Sequence, residues 1–271
     1  MNIRPYARRD LVELWRSRAG LLVLGLFGGC LIGVTGARIA GFSLSSIYGL
    51  VLFVGQLLFP AVGLLLGVSS IAGHRESGTL RLLFTLPGRR RDVVLGSFVT
   101  RCGVLGVGFG LLTAVTTGLA TVYSAPAGRP AVLFGLIMML TVSWLAVGTA
   151  VSVFANTQRR AFLAAIVLYV VGVVCWNTLF PVSPDVVAVA LASRLELSFP
   201  LELRRGVLFL APGNAFLVGL QYLGGKSYLT LVVSFFGAPV PAGWIAPVVL
   251  VMWCLLPLIA AVRIAESLEL S

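Results

Sequence analysis

Long apolar runs, each closed by a cluster of arginines or by proline and small polar residues, set the pattern of this chain. A bilayer core takes about 20 mainly apolar residues per helical crossing. Runs of that size fall at 19–37, 47–72, 93–123, 131–154, 161–180 and 244–262, which predicts six transmembrane helices. No ten-residue alternation of the kind that builds an outer-membrane barrel is present. Residues 1–18, MNIRPYARRDLVELWRSR, follow a different rule. Ile3, Ala7, Leu11, Leu14 and Trp15 recur at helical spacing, with Arg4, Arg8, Arg9, Glu13 and Arg16 on the other side. That pattern predicts an amphipathic helix lying in the membrane interface. It does not suit a cleaved leader, because the basic stretch is long, carries two acids and leads to no small-residue cleavage site. The expected fold class is therefore all-α: a polytopic membrane protein with an interfacial helix at 1–18 and a six-span domain over 19–271.

One segment resists this reading. Residues 181–243 hold prolines, a few charges and moderately apolar stretches such as VLFLAPGNAFLVGLQYLGG, interrupted at Pro212, Gly213 and Asn214. A re-entrant hairpin or interfacial helices capping the bundle both fit.

Composition agrees with the pattern. Of 271 residues, 59% are hydrophobic and 11% charged, against about 25% charged in a soluble domain. The formal charge of +11 does not indicate nucleic acid, because no basic groove interleaved with aromatics exists. The basic residues sit instead at span ends, facing lipid headgroups. Arg101, roughly two turns into the third span, is expected to snorkel back to the interface. Six spans put both termini on one side. Every Lys and Arg except Arg38, Arg129, Arg194, Arg204, Arg205 and Lys226 falls on that side, and four of these six lie in 181–243, where a long segment counts for little. Both termini are thus expected in the cytoplasm of a multi-pass plasma-membrane protein, with 181–243 extracytoplasmic. Cys30, Cys102, Cys175 and Cys254 each lie in an apolar run without CxxC spacing, as buried free thiols do.

Chemistry is scarce. GLQYLGGKS (219–227) approaches a phosphate loop, but Leu220 stands where that pattern needs glycine. GVLGVGFG (103–110) lacks the last glycine of a dinucleotide fingerprint. Gly25, Gly29 and Gly33, Gly63 and Gly67, and Gly106 and Gly110 repeat every four residues instead. Such spacing lets helix backbones approach closely, either within one bundle or between two copies. No Asp or Glu lies mid-membrane, and His74 is the one histidine, so neither a proton relay nor a metal-activated water is built here. Gln56 and Asn177 are the clearest intramembrane polar groups and are candidate pathway residues, with an interhelical hydrogen bond the favoured role for Gln56. Energy for uphill movement has to come from another protein.

The polar stretch HRESGTLRLLFTLPGRRRDVVLG (74–96) is where that protein could push. Thr79 can cap a short helix over 80–86 in which Leu80, Leu83 and Phe84 share one face, and Pro87-Gly88 ends it. Such a helix suits a partner's groove, and equally the membrane surface.

His74–Arg101 resembles the loop of type-2 ABC transporter permeases. Arg75, Glu76, Gly78, Thr79, Leu80, Pro87, Arg90, Gly96 and Arg101 match that family's pattern, while His74 replaces a usual acid and Ser97 a usual lysine. The resemblance implies a permease subunit, not itself an enzyme, which binds no cofactor and is coupled to a separate cytoplasmic ABC ATPase that holds ATP and Mg²⁺. It implies a coupling loop at 73–92, with Glu76, Thr79, Leu80, Arg81, Leu83, Phe84, Arg90 and Arg91 at the contact. It implies a second contact at NTQRR, through Asn156, Gln158, Arg159 and Arg160. A second permease subunit, identical or a sibling, and membrane lipids complete the expected partners, with export the expected direction. A non-transporting membrane assembly or maturation factor, recruiting its partner through the same loop, is the alternative.

Overall fold

The computed structural model describes residues 11–12, 17–71, 90–123, 128–155, 157–175, 209–224 and 244–267. Six helices among them are long and apolar enough to cross a membrane. They are α1 (Arg18–Ile39), α2 (Leu44–Val68), α3 (Arg90–Val122), α4 (Gly128–Phe154), α5 (Gln158–Tyr169, continued by a π-helical stretch, Val170–Cys175) and α7 (Ile245–Ser267). A shorter helix, α6 (Pro212–Gly224), precedes the last span.

Local signals set most boundaries. Ser17 caps α1 by accepting from the Gly20 N–H at 3.1 Å. The helix ends where Gly41 takes φ +90, a left-handed conformation that glycine adopts without strain. Ser43 then caps α2 through the Ser46 N–H at 3.2 Å, so α1 and α2 form a tight hairpin. Several ends differ from expectation. α2 stops at Val68 rather than 72. α7 runs on to Ser267, because Arg263 and Glu266 prolong the helix past the apolar run. Gln158, Arg159 and Arg160, expected as a polar link, form the first turn of α5 behind the Thr157 cap. Arg90, Arg91 and Asp92, expected in the loop, open α3, where Asp92 complements the positive helix terminus.

α4 is the central post. Leu133, Ile137, Leu140, Leu145 and Ala146 are fully buried along it. It crosses α2 at very close range: a Cβ on Gly67 would lie 2.6 Å from the Thr149 nitrogen, and one on Gly148 3.0 Å from Gly67 Cα. The Gly63/Gly67 repeat therefore serves packing within the bundle. Gly25, Gly29 and Gly33 on α1 have open space over them. Hydroxyls add polar ties between α4 and its neighbours, as when the Ser143 Oγ donates to the Leu250 carbonyl of α7 at 2.8 Å.

α1 leans on α2 and α3 through Phe27, whose ring centroid lies 5.7 Å from that of Phe59 and 5.0 Å from that of Phe109. Gly108 makes room for it, since a Cβ there would stand 2.7 Å from the ring. At the far end Arg38 stacks on Tyr123, with Cζ 3.7 Å from the ring centroid, and donates to the Phe42 carbonyl at 2.9 Å. In α5 the helix widens to π geometry where Gly172 passes the Trp144 indole, and a Cβ there would meet Cη2 at 2.6 Å.

α6 corrects the reading of Pro212-Gly213-Asn214 as a break. Proline is favoured in the first helical turn, where its missing N–H costs nothing, and here it starts the helix. The Trp253 Nε1 donates to the Leu210 carbonyl at 2.8 Å, while a Cβ on Gly219 would touch Ala246 at 3.3 Å. Helix α6 thus runs antiparallel to α7. The Gln56 amide, midway along α2, donates to the Gly213 carbonyl at 3.4 Å. Thirteen residues span about 20 Å, less than the roughly 30 Å core. α6 is a half-span, beginning at mid-depth and rising to the far end, and it is buried inside the bundle rather than capping it.

Candidate functional site

The structure gathers polar groups at the end of the bundle from which residues 72–89 depart. Ile71 is the last described residue before that segment, and α3 begins at Arg90. Ile71, Val94, Ala150, Val153, Ala261 and Ala265 form a small apolar cluster of their own, so α3, α4 and α7 end together around the base of α2. The Arg91 guanidinium lies 3.9 Å from the Glu266 carboxylate at its edge, both side chains part-exposed.

A helix leaves its last four carbonyls without intrahelical partners. In α2 these are Leu65, Leu66, Gly67 and Val68, and each is met. The Ser69 N–H takes Leu65 at 3.1 Å. The Ser70 N–H and Oγ both take Gly67, at 3.1 and 2.6 Å. The Ser152 Oγ of α4 takes Val68 at 2.8 Å and accepts the Ile71 N–H at 2.9 Å. Leu66 is met by the Ser69 hydroxyl at 3.0 Å and by the guanidinium of Arg101. The same guanidinium donates to the Ser69 Oγ at 3.1 Å and to the Ser69 carbonyl at 3.4 Å. Arg101 is 3% exposed. It does not snorkel, because the unmet carbonyls of α2 are nearer than water and need donors.

Of the residues singled out by sequence, Arg91, Gln158, Arg159 and Arg160 lie at this one end, with Arg159 and Arg160 exposed. Arg90 opens α3 there. Glu76, Thr79, Leu80, Arg81, Leu83, Phe84 and Asn156 lie outside the described residues, as do Asn177 and nearly all of the predicted interfacial helix. Gln56 is elsewhere, buried at mid-depth against α6. Sequence reasoning missed Ser69, Ser152 and Glu266. Small hydroxyl residues inside apolar helices were the available signal, since a buried hydroxyl has to find a partner.

Among the described residues no group of three or more His, Cys, Asp or Glu gathers to hold a metal. The four cysteines are free thiols, each half-buried rather than fully so. An apolar cleft of about 740 Å³ opens between α1 and α2, lined by Leu21, Leu22, Leu26, Leu58, Val62 and Leu65 among others. Its lining suits hydrocarbon.

Residues 16–265 match the ABC-2 family transporter protein family, and the chain belongs to it. It is 30% identical over 266 residues to the probable ABC transporter permease protein NosY of Stutzerimonas stutzeri, covering 92% of this chain and 91% of the relative. It is 29% identical over 172 residues to the probable ABC transporter permease protein NosY of Pseudomonas aeruginosa, covering 57% of this chain and 61% of that one. The chain is accordingly a multi-pass membrane component of an ABC transporter.

Proposed function

We propose that this chain is the permease subunit of an ABC exporter, coupled through the segment 73–92 to a separate cytoplasmic ATPase. The observation that carries the reading is one of placement. The two stubs of that segment, Ile71 and Arg90, and the basic first turn of α5 emerge at the same end of the bundle. A soluble partner can therefore touch both from one side.

In this reading Leu80, Leu83 and Phe84 are apolar anchors, Glu76 and Arg81 rim charges, and Arg90 and Arg91 the membrane border. Thr79 caps the loop helix, and Asn156, Gln158, Arg159 and Arg160 form the second contact. ATP and Mg²⁺ are bound by the partner, and this chain supplies no catalytic group. Both termini face the cytoplasm. A second permease subunit completes the pathway, a view supported by the open glycine face of α1 at Gly25, Gly29 and Gly33. Gln56 and Asn177 remain the candidate pathway residues.

The test is a mild-detergent pull-down of the chain from its native membranes, before and after Phe84→Asp. Recovery of an ABC ATPase that disappears with Phe84→Asp is the expected result. An intact, inserted chain that brings no ATPase even after cross-linking would favour the membrane assembly or maturation factor instead.

A further inference from the structure

Residues 72–89 are mounted on two stubs, and the structure ties those stubs to each other. The first stub is the turn that closes α2, Ser69 to Ile71. The second is the start of α3 at Arg90. Arg101 belongs to α3, about three turns from its start, yet it closes the end of α2 by donating to Leu66, to the Ser69 hydroxyl and to the Ser69 carbonyl. Ile71, the segment, Arg90, the first turns of α3, Arg101 and Ser69 thus form a closed ring.

The choice of side chain is informative. A buried charge is costly unless its donors are hydrogen-bonded. A snorkelling arginine would have kept its head in water, whereas this one is 3% exposed. Its planar fork of donors serves the carbonyls of Leu66 and Ser69, three positions apart at a helix end, together with the Ser69 hydroxyl, which a lysine ammonium cannot match in geometry. Ser152 extends the tie to α4, because its Oγ holds both the Val68 carbonyl and the Ile71 N–H. The ends of α2, α3 and α4 are therefore bound into one body. α5 is held to this body by the Tyr169 hydroxyl, which donates to the Leu57 carbonyl of α2 at 3.0 Å, whereas α1 carries a long exposed face, with Leu21, Leu22 and Ile32 among its exposed side chains.

We propose that Arg101 is a positioning residue for energy coupling: it locks α2 to α3 so that a displacement of residues 72–89 moves α2, α3 and α4 together against α1. Rigid-body rotation of packed elements is how small pushes become large movements, because close-packed contacts do not deform continuously. The inference rests on the reading of the 73–92 segment given above.

The full chain in lipid nanodiscs tests it, alone and with the co-purified ATPase, as the unmutated protein, Arg101→Lys and Arg101→Met. Hydrogen exchange of the Ser70 and Ile71 amides in the chain alone reads the lock. Arg101→Met is expected to raise it roughly tenfold, the loss of one charge-assisted hydrogen bond, with the amides of Leu140–Leu145 unchanged. Equal exchange in the two proteins would overturn the lock. Spin labels at Leu22 and Val107, both exposed, then report the distance between α1 and α3 with and without a non-hydrolysable ATP analogue. The shift seen in the unmutated complex is expected to vanish in Arg101→Met and return in part with Arg101→Lys, the ATPase remaining bound throughout. An ATPase still bound with the shift intact in Arg101→Met overturns the coupling role alone. An unmutated chain that binds no ATPase overturns the reading of the segment, and the coupling role with it. Where Arg101→Met fails to insert, Arg101→Gln, which keeps a donor and removes the charge, carries both comparisons with the same expected outcomes.

Discussion

Gly148 of α4 and Gly67 of α2 face each other without a side chain between them; a Cβ on Gly148 would stand 3.0 Å from Gly67 Cα. The neighbouring atoms are backbone, which cannot give way as the tip of a side chain can. Gly148→Ala is therefore expected to destabilise the bundle by about 1–3 kcal/mol, the usual cost of overpacking. Thermal unfolding in detergent measures it. Gly135→Ala, on the same helix, is the control: open space surrounds Gly135, so no such loss is expected.

Ser152 satisfies two buried backbone groups at once, the Val68 carbonyl and the Ile71 N–H. Ser152→Ala leaves both without that partner in an apolar surrounding. The expected loss is about 1–3 kcal/mol per group left unmet, read as faster hydrogen exchange at Ile71 and a lower midpoint of thermal unfolding. Ser152→Thr, which restores the hydroxyl, should recover most of it.

Trp253 and Gln56 hold the start of α6, through the Leu210 and Gly213 carbonyls. Trp253→Phe keeps most of the ring and removes only the donor. It should cost about 1 kcal/mol. Gln56→Leu, whose bond is longer at 3.4 Å, should cost about 0.6 kcal/mol, the average for a polar contact between membrane helices. Exchange of the 213–224 amides should rise in both variants while that of α4 stays constant. Uniform acceleration across the chain would contradict this assignment.

Arg91 and Glu266 are expected to matter little to stability. Their charges are 3.9 Å apart and both side chains are over a third exposed, so water and salt screen the pair. Glu266→Gln should change unfolding by less than about 0.5 kcal/mol. A larger loss would mean that Glu266 does something other than pair with Arg91.

The spans were legible because bilayer crossing is a local requirement. Each needs about 20 apolar residues in a row, and the runs at 19–37 and 131–154 became α1 and α4 with ends shifted by a few residues. The ends themselves were less legible. Arg263 and Glu266 look like a polar tail in one dimension, yet they continue α7 because Ala261 and Ala265 pack into the cluster around Ile71. Pro212 looked like a break because its place relative to Trp253 and Gln56 could not be seen. The site was half legible. The polar stretch 74–96 and the basic turn at 158–160 stand out by charge alone, but the serines that bind α2 to its neighbours resemble any other small residue in an apolar run.

By itself the amino-acid sequence determined the membrane class, the approximate location of the six crossings among the described residues, and the polar segment that interrupts them. All of these depend on sums over neighbouring residues, so no knowledge of the fold is required. Only the tertiary structure decided that Arg101 turns to α2 instead of to water, that Gly67 meets Gly148, and that α6 starts at mid-depth. These outcomes join groups 32 positions apart for Arg101 and Ser69, 84 for Ser152 and Val68, and 157 for Gln56 and Gly213. The physical reason is that an unmet polar group or a bare patch of backbone in an apolar interior states only what it lacks, and the folded bundle selects which distant residue supplies it.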